Sequence, residues 1–146
     1  VSGHDERFGL TVLDAGGCTL RVPRVDLVVG APVRVRIPAR DVALALSQPS
    51  DVSVVNRLAG RIESLATRDA TYVDVIVRLG AAVAVRARIT REAAERLALA
   101  PGLAVWCLIK SVALDRVTSM LTVEAVRQTV APSAALSGAP QDASPR

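Results

Sequence analysis

The sequence predicts a mainly β protein: two tandem copies of one small β unit, with a single short helix. Three observations carry that expectation. Apolar residues recur at every second position in short runs, and turn formers such as Asp14-Ala15-Gly16-Gly17, Gln48-Pro49-Ser50-Asp51 and Pro101-Gly102 separate the runs. Half of the residues are hydrophobic (51%) but only 2% are aromatic, so the core has to be built from Val, Leu, Ile and Ala. Finally, a pattern occurs twice. Val33-Arg34-Val35-Arg36-Ile37 is followed by Val42-Ala43-Leu44, and Val105-Trp106-Cys107-Leu108-Ile109 is followed more closely by Val112-Ala113-Leu114. A glycine, Gly30 or Gly102, stands ahead of each copy, and the first copy reads as a reduced version of the second.

The first half opens on a polar, frayed stretch, residues 1–7. His4, the sole histidine, lies in it and is read as a surface residue, since a metal needs more ligands than one. Residues 8–13 and 18–22 are short strands, and Asp14-Ala15-Gly16-Gly17 between them makes a hairpin. Residues 23–30 connect. Val33, Val35 and Ile37 then alternate with Arg34 and Arg36, as a half-buried strand does, until Pro38 breaks it. A short apolar piece at 41–46 leads into the linker at 48–51. The expected division is a degenerate first unit at 1–48, a second unit at 49–116 and a largely disordered tail at 117–146, rich in Ala, Ser, Pro and Gly.

The second half begins with a strand at 56–65, with Leu58 and Ile62 inward and Gly60 at a bulge. Residues 67–71 form a polar hairpin tip. Val73, Val75, Val77 and Leu79 share one face of the next strand, with Asp74 and Arg78 opposite. After the turn Gly80-Ala81-Ala82, Val83, Val85, Ala87 and Ile89 alternate with Arg86 and Arg88. Thr90 is an N-cap for a helix at 91–99, rich in Ala, Glu and Arg. Pro101-Gly102 then opens a strand apolar on both faces, which predicts burial on both sides, Trp106 included. It ends at Lys110, the only lysine in the chain, with Ser111 beside it.

Composition narrows the function classes. The net charge is +4 from 18 basic and 14 acidic groups, scattered without a block of like sign. That suits a small anion or a polyanion. A single-strand nucleic-acid binder stacks bases on aromatic side chains, and one Phe, one Tyr and one Trp make a poor platform. Cys18 and Cys107 lie far apart inside strands and are read as reduced, buried thiols of a cytosolic protein. No run is long enough to span a membrane, and no secretory signal opens the chain. A P-loop needs a Gly-Lys-[Ser/Thr] ending, and Lys110 follows Leu108-Ile109, so these residues contain none. One histidine and two distant cysteines make no nucleophile with its base, so no catalytic residue is assigned.

A small dianion has acceptor oxygens only, and a site for it needs hydroxyls, backbone N–H groups and a cation. Ser53, Thr90, Ser111 and Lys110 are of those types, and Thr90 adds the N–H groups of a helix start. Each has an ordinary alternative: Ser53 and Asn56 shape a turn, Thr90 caps, and Lys110 ends a strand in solvent.

Ser53-Val54-Val55-Asn56-Arg57-Leu58-Ala59-Gly60-Arg61-Ile62 resembles the opening of the molybdenum-pterin-binding-protein (Mop) domain. Ala87-Arg88-Ile89-Thr90, Leu97 through Gly102, and Ile109-Lys110-Ser111-Val112 resemble its later landmarks. With Val33 through Val42, the order of the halves is similar to the C-terminal paired Mop, or transport-associated OB (TOBE), region of the ATP-binding subunits of molybdate importers. The resemblance implies tandem OB-like small barrels, a homodimer, and a bound oxyanion, molybdate or tungstate, with no covalent cofactor. It assigns Ser53, Asn56, Thr90, Lys110 and Ser111 to the oxyanion site. Two of the family's pocket positions differ here: Val55 stands for an arginine and Ala93 for a hydroxyl residue. The resemblance further implies a regulatory domain of a parent ABC-type ATPase. That parent would meet a transmembrane permease through an ATP-binding domain outside these residues, and would be cytoplasmic and peripheral at the inner membrane. The competing readings are an OB-type nucleic-acid module and a dimerisation domain without ligand.

Overall fold

The structure, a computed structural model, describes residues 1–111 and the strand Val117–Ser119. It is mainly β. Strands β1 (Gly3–Asp5), β2 (Leu10–Ala15) and β3 (Cys18–Pro23) form an antiparallel meander. The β2–β3 turn is the expected hairpin: Gly16 and Gly17 have φ of 61° and 89°, a conformation that glycine adopts without Cβ strain and that matches strand twist. Asp14 Oδ1 accepts from the Gly17 N–H at 3.0 Å and closes it. A five-stranded sheet contains β5 (Val42–Ala45), β9 (Ala104–Ile109), β6 (Asn56–Thr67), β7 (Tyr72–Leu79) and β8 (Val83–Thr90), in that order. It curls until β5 and the 3-10 turn Ala39–Asp41 lie against β8. The one α-helix, α1 (Arg91–Arg96), follows β8. Among the described residues no helix is long and apolar enough to cross a membrane.

Alternation decided which faces are buried. Val73, Val75, Val77 and Leu79 point into the core, as do Leu58, Ile62, Val105, Cys107 and Ile109. Leu13, Leu20 and Val22 of the meander join the same cluster, so one aliphatic core serves both halves. Pairing crosses the linker: β5, from before it, lies on β9 in register Val42↔Ile109. β4 (Val33–Val35) in turn pairs with β10 (Val117–Ser119), which comes after the second unit. Each copy of the repeated strand, β4 or β9, thus takes a short strand from the other side of the chain.

Several local expectations are corrected. Residues 3–5 are not frayed: they form β1, and His4 is half-buried, its Nε2 2.8 Å from the Leu27 carbonyl and its Nδ1 3.0 Å from Thr11 Oγ1. The bulge in β6 falls between Ile62 and Ser64, not at Gly60. The helix stops at Arg96, because Ala98 takes φ of +46° and the Ala98 and Leu99 N–H groups fold back onto Glu95 and Ala94. Only one face of β9 is fully buried; Trp106 and Leu108 on the other are half-exposed. Val112-Ala113-Leu114 and most of the expected tail lie outside the described residues.

Candidate functional site

The register of β6 on β9 builds the site. Asn56 pairs with Ile109, so the segment entering β6 and the segment leaving β9 meet at one end of the sheet. Ser53 lies on the first, and Lys110 and Ser111 on the second. Together with Leu10 and Val55 they line a shallow pocket of about 350 Å³. Ser53, Ser111 and Lys110 bring two hydroxyls and an ammonium to the lining, and its described residues include no carboxylate. Among the described residues Lys110 enters no ion pair. Such a wall presents donors and one positive charge against an apolar floor, which suits a small anion and repels a cation. Val55 lines this wall with 47% of its surface exposed.

Asn56 sits behind the wall rather than in it, with 2% of its surface exposed. Its Oδ1 accepts from the Arg21 N–H at 2.7 Å, and its Nδ2 donates to the Arg21 carbonyl at 2.9 Å. The side-chain amide thereby acts as a ladder partner for β3 and ties the meander to the large sheet. The second Nδ2 hydrogen goes to Ser111 Oγ, at 3.3 Å. Burial without these bonds would leave a strongly polar group unsatisfied.

Thr90 is placed elsewhere. It is the N-cap of α1, its hydroxyl accepting from the Ala93 N–H at 3.2 Å. It pairs with Tyr72, level with the far end of β6 from Asn56, and does not line the pocket. The structure thus brings together four of the five residues expected at the site: Ser53, Asn56, Lys110 and Ser111. Sequence reading missed Leu10, which begins β2 and carries no signal of its own, and Arg21, which acts through its backbone alone. Elsewhere, burial pushes the Cys107 thiol up to about 12, which leaves it unreactive at neutral pH. No group of His, Cys, Asp and Glu able to hold a metal is found among the described residues.

Residues 52–115 match the family model described as the TOBE domain. The molybdenum import ATP-binding protein ModC of Mesorhizobium japonicum is 41% identical over 116 residues, 80% of this chain and 31% of that protein. ModC of Paramagnetospirillum magneticum is 44% identical over 116 residues, with 80% and 32% covered. ModC 2 of Azotobacter vinelandii is 46% identical over 115 residues, with 78% and 32% covered. The chain therefore spans 31–32% of the length of these curated relatives. Among solved structures, the cytoplasmic molybdate-binding protein ModG, in a form with molybdate bound, superposes with a TM-score of 0.66 at 23% identity, covering 71% of this chain and 78% of that one. That likeness is one of fold: the curled sheets are those of an OB-like barrel protein.

Proposed function

We propose, from the match of residues 52–115 to the TOBE-domain family model, that the chain is the oxyanion-binding regulatory part of the ATP-binding subunit of a molybdate importer. The observation that carries the reading is the pocket itself: Ser53, Lys110 and Ser111 line it together, with no carboxylate among the described lining residues. Lys110 supplies the charge, and the hydroxyls donate to oxygens that can only accept. Molybdate and tungstate share that chemistry, and both are ligands in this reading. Thr90 enters from a second copy of the chain, so the complete site belongs to a homodimer. Residues 1–48 act as the reduced partner unit of residues 49–116.

The regulatory step needs a differential affinity. Anion bound between two copies favours the arrangement of the attached ATP-binding domains in which the pocket is complete, and it shifts the population only by its preference for that arrangement. The parent acts at the cytoplasmic face of the inner membrane, held there by the permease subunit. Calorimetric titration of molybdate into the full chain tests the site. Lys110→Ala is expected to weaken binding about tenfold to hundredfold, the worth of one charge-assisted hydrogen bond. Equal binding by both chains removes Lys110 from the site. No binding by the wild type at millimolar molybdate leaves a dimerisation domain without ligand.

A further inference from the structure

We propose that Asn56 is a positioning residue that fixes Ser111 as a hydrogen-bond donor toward the pocket, a reading that rests on the oxyanion site proposed above. The orientation of the Asn56 amide is not a free choice. The Arg21 N–H can only donate and the Arg21 carbonyl can only accept, so Oδ1 must face the first, at 2.7 Å, and Nδ2 the second, at 2.9 Å. That leaves one Nδ2 hydrogen, and it points at Ser111 Oγ, 3.3 Å away. A hydroxyl that accepts from an amide cannot turn its own hydrogen toward that amide. The Ser111 hydrogen is therefore kept off the Asn56 side and left for the pocket that Ser111 lines with Ser53 and Lys110. A serine without such a neighbour rotates freely and offers a lone pair as readily as a hydrogen.

Two consequences follow. An oxyanion meets a hydroxyl already turned to donate, so less order is lost on binding. The device is also anchored in β3, because Arg21 belongs to the meander, so Asn56 couples the position of the meander to the Ser111 hydroxyl. One of the two Arg21–Asn56 bonds, Arg21 N–H to Asn56 Oδ1, and the bond from Asn56 Nδ2 to Ser111 Oγ both donate toward the pocket, and an anion accepting from Ser111 strengthens the bond behind it.

The full chain is titrated with sodium molybdate by calorimetry as wild type, Ser111→Ala, Asn56→Ala and the double variant, with a thermal melt of each. Ser111→Ala is expected to weaken binding roughly tenfold. Asn56→Ala is expected to weaken it by a similar factor, and to have no further effect once Ser111 is alanine. Since Asn56→Ala also cuts the tie to β3, the wild type supplies a measurement that needs no change at position 56. The two Asn56 side-chain amide protons are followed by NMR, and the one facing Ser111 is expected to shift on saturation with molybdate while the other stays. Losses that add in the double variant, or amide protons that stay put while molybdate binds, overturn the role of Asn56 and leave the oxyanion site standing. A wild type that binds no molybdate overturns both.

Discussion

Asp74 holds two arginines on the outer face of the large sheet. Cross-strand register sets it opposite Arg88, whose Nε donates to Oδ1 at 2.8 Å and whose Nη2 donates to Oδ2 at 3.3 Å; Arg68 stands 3.5 Å from Oδ2. The Arg88 hydrogen bonds, aided by the charges of Arg88 and Arg68, hold the Asp74 carboxyl below its usual range. The folded value being the lower one, this carboxylate stabilises the fold above its ordinary pKa, and the contribution fades as pH falls through the depressed one. Asp69 adds to the same acid loss, its carboxylate accepting from the Thr71 and Tyr72 N–H groups in the hairpin tip. Asp74→Asn is therefore expected to lower the melting temperature at neutral pH, and the gap between the two proteins is expected to narrow progressively as pH falls below about 4, where the wild type begins to lose the same pair. Melts followed by circular dichroism across pH 3–7 check this (~4 being the ordinary carboxylate value); parallel curves for the two proteins would show that the pair does not act through the Asp74 charge.

Gly60 shows what an element can require without announcing why. A Cβ built there would lie 2.6 Å from Val77 Cγ1, 2.7 Å from the Arg78 carbonyl oxygen and 2.8 Å from Leu79 Cδ2. The obstacle includes backbone, so β6 and β7 would have to separate where the sheet curls. Gly60→Ala is expected to destabilise by about 1–3 kcal/mol through overpacking, read as a lower denaturation midpoint, and an unchanged midpoint would mean that the strands part easily there. The sequence did mark Gly60 as special, but a lone glycine in a strand fits both a bulge and a close approach, and only the neighbouring strand separates them. The same limit holds for the sheet as a whole. Alternation and turn residues made nearly every strand legible, along with its buried face and the Gly16-Gly17 hairpin, because these are local properties. Partner choice is not local. Nothing in Val42-Ala43-Leu44 says that it will lie on β9, nor in Val33-Arg34-Val35 that it will take β10. Burial of β9 meets the same limit: the residues that flank Leu108 and Trp106 on the half-exposed face, Ala43, Arg57, Ala45 and Ala59, are set by partner choice.

At the scale of the whole molecule the site divides in two. Donor chemistry and the family resemblance point to Ser53, Lys110 and Ser111, and one strand register brings these three together. Asn56 was assigned to the same site, yet its bonds go to Arg21 and Ser111, a duty visible only once β3 is seen against β6. Thr90 was legible as an N-cap, and that is its place; the pocket wall does not include it. The proposed homodimer gives Thr90 its second duty, in the pocket of the partner copy, and this arrangement can be tested by complementation. Lys110→Ala and Thr90→Ala are each expected to weaken every site of their own dimer. Mixed after unfolding and refolding together, the two chains form heterodimers in which one site takes Lys110 from one chain and Thr90 from the other, while the second site lacks both. With random pairing about a quarter of all sites are restored, as two-fold symmetry requires. Molybdate titration of the mixture is expected to recover that fraction at wild-type affinity. If the chains exchange and no site recovers, Thr90 does not complete the pocket of a partner, and its effect is confined to capping α1, where its loss costs about 1 kcal/mol of stability.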